Sequence, residues 1–333
     1  MMYGLNLTLL PAPHLTAAQS LGDWLPAHGV TPRLLPWLAP QGVVKVAVVL
    51  PDPVGYGLLL PEMMAQVLAG GAVQWRGQTY TVGGIEQIVA PLQTLSIRIT
   101  ARDPFPKDVN RACHALVLDW VRQANPDLSA ALHNGARSPF RLNTRLDGQK
   151  RNLYLYISLW QGELLAPLLW GLQAQLGQGL TVTKLPCCLD THVKSVYQGT
   201  WEGLAATEPS AALKFQLFSP TSFKQGGVVQ PFPLPDVVFR GLWQRWNAFA
   251  PAAVQLPAVE WSGMVAAYDL KTVPLYLNGV TEIGATGWII YQFRDPEQAA
   301  IASILASFAT LVGIGRKTPW GMGHVAWQPP TQP

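Results

Sequence analysis

From Thr94 to about residue 328 the chain runs twice through one order of elements: strand, helix, strand, strand, helix, strand. Few folds accept that order. In the first pass Leu95, Ile97 and Ile99 alternate with Ser96, Arg98 and Thr100, the period of two that marks a half-buried strand. After Pro104 and Pro106, residues 108–122 set Val109, Cys113, Leu116, Val117 and Trp120 at helical spacing. Residues 140–145 and 153–159 read as strands either side of the turn Asp147-Gly148-Gln149, followed by a helix over 163–175 and a strand over 180–183. The second pass has a strand at Leu213, Phe215 and Leu217, a helix over 234–249 and strands over 264–277 and 287–293. A helix over 296–312 and a strand near 322–327 complete it. The fold class expected is α+β, with tandem ferredoxin-like (RRM-like) domains at 94–205 and 206–333.

Residues 1–93 form an additional N-terminal α+β region. Strands are expected over 3–10 and 45–50, and the stretch between them contains six prolines and no clear long helix. Residues 57–71, an apolar helix pattern bounded by glycines, echo residues 162–179. Two readings stand: any apolar helix between glycines has this appearance, or the region is a degenerate third ferredoxin-like unit.

Charged residues make up only 13% of the chain against the ~25% usual in soluble proteins, so a membrane segment has to be considered. The best candidate, residues 299–315, carries no charge but falls short of the ~20 residues a span needs, and is expected to be a buried helix. No basic region precedes the first apolar stretch, so no secretory leader is expected. Three cysteines, an odd number, argue against a disulfide scaffold and for a reducing compartment, with the cytoplasm as default. A net charge of +4 leans weakly toward anionic partners.

The most informative segment for function is residues 313–323, where Gly313, Gly315, Gly321 and Gly323 flank Arg316, Lys317 and Pro319 directly after the last helix. Glycines admit positive φ and close approach of a ligand, and two cations make that ligand an anion. A P-loop is excluded, because Arg316 and Leu311 stand where its glycines belong. A dinucleotide fingerprint begun at Gly313 meets Thr318; begun at Gly321 it meets the tolerated Ala326, but such motifs follow a strand and open a helix. Here the order is reversed.

Two histidines are candidates for proton transfer. His114 lies on the first helix with Arg111 and Asn110 one turn away, and His133 ends a short helical turn over 127–132. An imidazole beside a guanidinium suits acid–base work on a phosphate, although a solvated helix face or a helix C-terminus explains the same spacing. Residues 187–192 offer Cys187, Cys188, Asp190 and His192, but adjacent cysteines do not match zinc spacing and a structural role is expected. Residues 219–227, with Lys224, and the helix bearing Arg240, Trp243, Arg245 and Trp246 interleave cations with rings, a pattern that suits RNA; the alternative places the tryptophans in the core.

Three segments in this order resemble the CRISPR-associated endoribonucleases of the RAMP superfamily, which cut precursor CRISPR RNA within its repeats. They are the terminal loop 313–323, the run 125–133 with Ser138-Pro139-Phe140 after it, and Ser219-Pro220-Thr221-Ser222-Phe223-Lys224. The resemblance covers residues 94–328, and residues 1–93 have no counterpart in it.

The resemblance implies that repeat RNA binds across two side-by-side ferredoxin-like domains and is cleaved without metal or other cofactor. The 2′-hydroxyl attacks the neighbouring phosphate, leaving a 2′,3′-cyclic phosphate and a 5′-hydroxyl. It makes His133, in the pair Leu132-His133, the first candidate for general acid or base, His114 the second, and Arg137 the nearest cation in sequence. Arg111, Arg316 and Lys317 serve cleavage or backbone binding, and the glycine loop with Lys224, Arg240 and Arg245 the RNA backbone. Partners implied are the precursor CRISPR RNA repeat and other effector-complex subunits, with no membrane. A non-catalytic RAMP subunit that holds guide RNA is the competing reading, for which residues 1–93 offer an assembly surface. A metal-dependent nuclease lacks a carboxylate cluster in so acid-poor a chain.

Overall fold

The computed structural model describes residues 1–26, 29–38, 43–106, 108–134, 138–277 and 280–328. The N-terminal region contains β1 (Gly4–Pro11), β2 (Ala18–Ser20), α1 (Leu21–Trp24), β3 (Arg33–Leu38), β4 (Val44–Val49), α2 (Tyr56–Ala69), β5 (Ala72–Trp75) and β6 (Gln78–Ile88). Its strands pair antiparallel in the order β3-β4-β1-β6, with β5 and then β2 beyond β6. Among the described residues between β1 and β3 only four are helical, in a stretch where prolines remove donors and fix φ.

The first tandem unit comprises β7 (Leu92–Ala101), α3 (Asn110–Ala124), α4 (Pro126–Asn134), β8 (Phe140–Leu146), β9 (Asn152–Leu159), α5 (Leu165–Gln175), β10 (Gly179–Val182), β11 (Leu185–Leu189) and β12 (Val193–Gly199). The strands lie in the order β8-β9-β7-β11, the ferredoxin-like arrangement. Leu95, Ile97 and Ile99 of β7 point into a core closed by Cys113, Val117 and Trp120 of α3 and Leu165, Leu168 and Leu172 of α5.

Two features depart from the sequence reading. The strand expected over 180–183 is β10, which among the described residues pairs with β11 alone; the strand that closes the sheet against β7 is β11. Thr183 and Lys184, both at positive φ, form the two-residue turn between them, a conformation that Asn-Gly would have signalled and Thr-Lys hides. Also unforeseen, β12 pairs antiparallel with β7 and parallel with β3 through Val193↔Trp37 and Lys194↔Leu38, which merges two sheets into one.

The second unit contains α6 (Trp201–Ala205), β13 (Ala212–Thr221), β14 (Phe223–Gln225), β15 (Val228–Gln230), α7 (Pro235–Phe249), β16 (Met264–Leu277), β17 (Val280–Gln292), α8 (Pro296–Val312) and β18 (Val325–Gln328). Its sheet has the order β16-β17-β13-β18, again ferredoxin-like. The strand expected at 287 begins at Val280, and residues 223–230 form a hairpin, β14–β15, that no periodicity announces. Trp201, assigned by sequence to the end of the first domain, packs in the second core against Trp246 and Phe308.

α8 lies in that core with Ala302, Leu305, Phe308 and Ala309 fully buried. Among the described residues no helix is long and apolar enough to cross a membrane. The tryptophans of α7 are engaged with protein: Trp246 is buried, and the Trp243 indole donates to the carbonyl of Leu256 at 3.0 Å. The core reading of these rings therefore replaces the stacking one.

Candidate active site and nucleic-acid interface

Residues 313–323 leave the C-terminus of α8 and fold back on the end of β13. The Ile314 N–H donates to Gly323 O at 3.0 Å, the Arg316 N–H to Ser222 O at 2.9 Å and the Gly323 N–H to Pro220 O at 3.0 Å. Gly315 and Gly323 have φ of +75° and +69°, and a Cβ on them would strike the carbonyls of Ser222 and Ile314. Gly313 lies against Gly323 O, and Gly321 against the Asn110 side chain of α3. The glycines are thus explained by protein packed around them, where their spacing alone implies close approach of a ligand.

Two guanidiniums anchor the loop. Arg245 of α7 donates to Val312 O at 3.1 Å, Gly313 O at 3.2 Å and Gly315 O at 3.4 Å, and Arg141 of β8 donates to Thr310 O at 3.0 Å. The last carbonyls of a helix lack intrahelical partners and carry partial negative charge, so cations there are favourable. Arg141 is only 5% exposed, and burial, with Arg245 adding, pushes its pKa down to about 10. Motif spacing does not single it out, though a charge inside the strand run Phe140-Arg141-Leu142 is a signal of its own.

One wall of the loop faces a groove of about 440 Å³ that collects Lys224, Arg240, Arg245, Arg316, Gly313 and Gly315. Six of the residues expected to touch RNA backbone come together here. Arg240 is paired with Asp236 one helical turn away. Arg316 and Lys317 share Glu282 of β17, 3.3 Å from the Arg316 guanidinium, a carboxylate that no motif in the sequence announces. Hydrogen bonding from Lys317 holds Glu282 below the usual carboxylate range, with the charges of Lys317 and Arg316 adding, against the opposing effect of burial.

The other wall of the loop, through Trp320, closes a second cavity of about 520 Å³ lined by Arg111, His114, Arg122, Ser129 and His133. Ser129 of α4 donates to Leu118 O of α3 at 2.8 Å, and Asn125, between the two helices, accepts with its Oδ1 from the Leu128 N–H in the first turn of α4 at 2.9 Å. His133 stands exposed on the last turn of α4. His114 is only 7% exposed, sandwiched between Phe140 at 5.8 Å and Trp320 at 4.7 Å between ring centroids. Burial, then the charge of His133, pushes its pKa down to about 4, so its imidazole is neutral. Arg137 lies outside the described residues.

A third cavity, between the two units, holds Arg141 and His324; burial, then Arg141, lowers the pKa of His324 to about 4. Among the described residues no three His, Cys, Asp or Glu side chains are grouped to hold a metal. Cys187 is turned into the core while Cys188 faces out, as alternation along β11 requires.

Comparison with known proteins bears on this geometry. Residues 215–325 match the family described as CRISPR-associated endoribonuclease Cas6. A curated CRISPR-associated endoribonuclease Cas6 of Mycobacterium tuberculosis is 26% identical over 121 residues, 35% of this chain and 38% of that protein. The chain therefore matches little more than a third of the length of its curated relatives. A Thermus thermophilus Cas6 in its product complex superposes with a TM-score of 0.64 at 23% identity, covering 72% of this chain and 100% of that one. A second Cas6 product complex gives 0.56 at 24%, covering 71% and 99%. These structures share the tandem ferredoxin-like fold. Residues 215–325 are thus similar to the Cas6 family, and the chain as a whole has the fold of the solved Cas6 structures.

Proposed function

We propose that the chain is a metal-independent endoribonuclease that binds CRISPR repeat RNA and cleaves precursor CRISPR RNA by 2′-hydroxyl attack, leaving a 2′,3′-cyclic phosphate and a 5′-hydroxyl. The observation that carries this reading is the shared wall: the glycine loop separates a cationic groove from a cavity that contains an exposed imidazole and two arginines. An RNA backbone laid in the groove passes the loop toward His133. There the imidazole takes the proton of the attacking hydroxyl or gives one to the departing 5′-oxygen, while Arg111 faces the charge that develops on phosphorus. His114, neutral and clamped between rings, acts as a positioning residue for this wall. Arg137 remains the nearest further cation in sequence.

The curated relatives bear the name of an endoribonuclease, and structural neighbours were solved as product and substrate-mimic complexes. Other effector-complex subunits belong to this reading as partners and the cytoplasm as the place of work. Residues 1–93, with strand order β6-β1-β4-β3, are read as the degenerate third ferredoxin-like unit and a surface for such partners. Its described Arg and Lys side chains are bonded to protein: Lys45 to Glu86 within the region, and Arg33 to Trp170 O and Arg76 to Thr191 O of the first tandem unit.

The test is incubation with the repeat RNA encoded beside the gene, with and without chelator, and mapping of product ends. Cleavage indifferent to chelator and blocked by a single 2′-deoxy nucleotide at the cut is expected. Repeat RNA bound but left intact by excess protein would favour the non-catalytic subunit instead.

A further inference from the structure

The loop that should attract RNA has its two cations already occupied. Glu282, on β17 near the far end of the second unit's sheet, places one carboxylate oxygen 3.3 Å from the Arg316 guanidinium and accepts a hydrogen bond from the Lys317 ammonium with the other. Its side chain is only 12% exposed, whereas those of Arg316 and Lys317 are 31% and 32% exposed. The carboxylate thus grips both cations from behind while they still face solvent, and Arg316 also lines the groove. The three groups together carry one net positive charge where the sequence alone promises two.

Lys317 also occupies the left-handed region, φ +56° and ψ +35°, which L-residues with side chains seldom adopt. Its carbonyl accepts from the N–H groups of Trp320 at 3.0 Å and Met322 at 3.3 Å. The residue that Glu282 holds therefore organises the turn that carries Trp320 to the His133 cavity.

We propose that Glu282 is a specificity-determining residue: its carboxylate competes with RNA phosphodiesters for Arg316 and Lys317, so that only RNA held in register by the rest of the groove displaces it. This rests on the RNA-binding reading above. A phosphate is a better partner than a carboxylate only when it arrives already positioned, because an RNA held elsewhere has lost its freedom before reaching the loop. Randomly placed backbone meets a loop of reduced charge. Discrimination of this kind works by penalising wrong partners.

The experiment measures binding of repeat RNA and of scrambled RNA, both carrying 2′-deoxy nucleotides to prevent cleavage, to wild type and Glu282→Gln across a range of salt. Gln keeps the size of the side chain and removes its charge. Scrambled RNA is expected to bind the variant about three- to tenfold more tightly at low salt, with a salt slope steeper by roughly 0.7 for each further phosphate neutralised. The preference for repeat over scrambled RNA should shrink accordingly.

A slope that does not change, or an affinity that falls for both RNAs, would overturn the proposal in favour of a purely structural staple. Should Glu282→Gln not fold, Lys317→Gln serves: the slope for repeat RNA should drop by roughly 0.7 and that for scrambled RNA stay put. An equal drop for both would show Lys317 open to any RNA and end the idea. Wild type that binds neither RNA refutes the RNA-binding reading itself, whereas binding with an unaltered slope in the variant refutes only the part given to Glu282.

Discussion

The imidazole of His114 lies against the indole of Trp320 with ring planes 16° apart, so a helix of the first unit and the glycine loop of the second meet ring to ring. A stacked aromatic pair is worth roughly 0.5–1.5 kcal/mol beyond the area it buries. Trp320→Ala should lower stability by roughly 1–3 kcal/mol and open the His133 cavity. Denaturant unfolding measures the first effect, and loss of cleavage at unchanged RNA affinity the second.

Acid should weaken the native state through two imidazoles. His114 and His324 have native pKa values of about 4 against about 6.5 when unfolded, so the unfolded chain binds protons first as pH falls. Their contribution is fully present above pH 6.5 and is lost toward pH 4, at up to roughly 1.4 kcal/mol per pH unit for each histidine. Unfolding free energies at pH 7.5, 6 and 5 test this. His114→Phe, which keeps a ring between Phe140 and Trp320, should halve the slope.

His133→Ala should reduce single-turnover cleavage by about 10²–10⁴-fold, the range for loss of a general acid or base, and leave repeat-RNA affinity within about threefold. His114→Phe should keep substantial activity, because that ring supports a wall. Cleavage undiminished in His133→Ala would remove the imidazole from the chemistry.

Cations of the groove should separate into two kinds. Lys224→Ala and Arg240→Ala are expected to weaken binding of any RNA and to reduce the salt slope by roughly 0.7 each, read by fluorescence anisotropy. Arg245→Ala should act instead on the fold, since it strips donors from the carbonyls of Val312, Gly313 and Gly315 at a cost of roughly 1–2 kcal/mol, visible as a lower melting temperature.

Gly323→Ala combines a positive φ with a collision against the Ile314 carbonyl, and should cost roughly 2–4 kcal/mol. Thermal melts without RNA are sufficient to see it.

The tandem fold is legible in the chain because period-two and helical patterns are local properties. Leu95, Ile97 and Ile99 announce β7 and Cys113, Val117 and Trp120 announce α3 without reference to anything distant. What escapes such patterns is set by tertiary contact. β12 owes its pairing to β3, more than 150 residues earlier in the chain, and the turn at Thr183-Lys184 carries no glycine. At the site, His133 and the groove residues are accessible as residue types, while Arg141 and Glu282 matter through partners that spacing cannot reveal. The glycine loop stands out for a sound reason, positive φ, and the close approach its glycines permit is made in the first place by protein.

The cavity at His133 takes its walls from α3 and α4 on one side and Trp320 on the other, so the second unit closes an enclosure that the first largely builds. A chain parted between β12 and α6 would yield two halves, each with a complete ferredoxin-like sheet, the first keeping His133 without the Trp320 wall. On the proposed reading the two ferredoxin-like units therefore hold one reaction centre in common, and the shape of each answers to what the other must enclose.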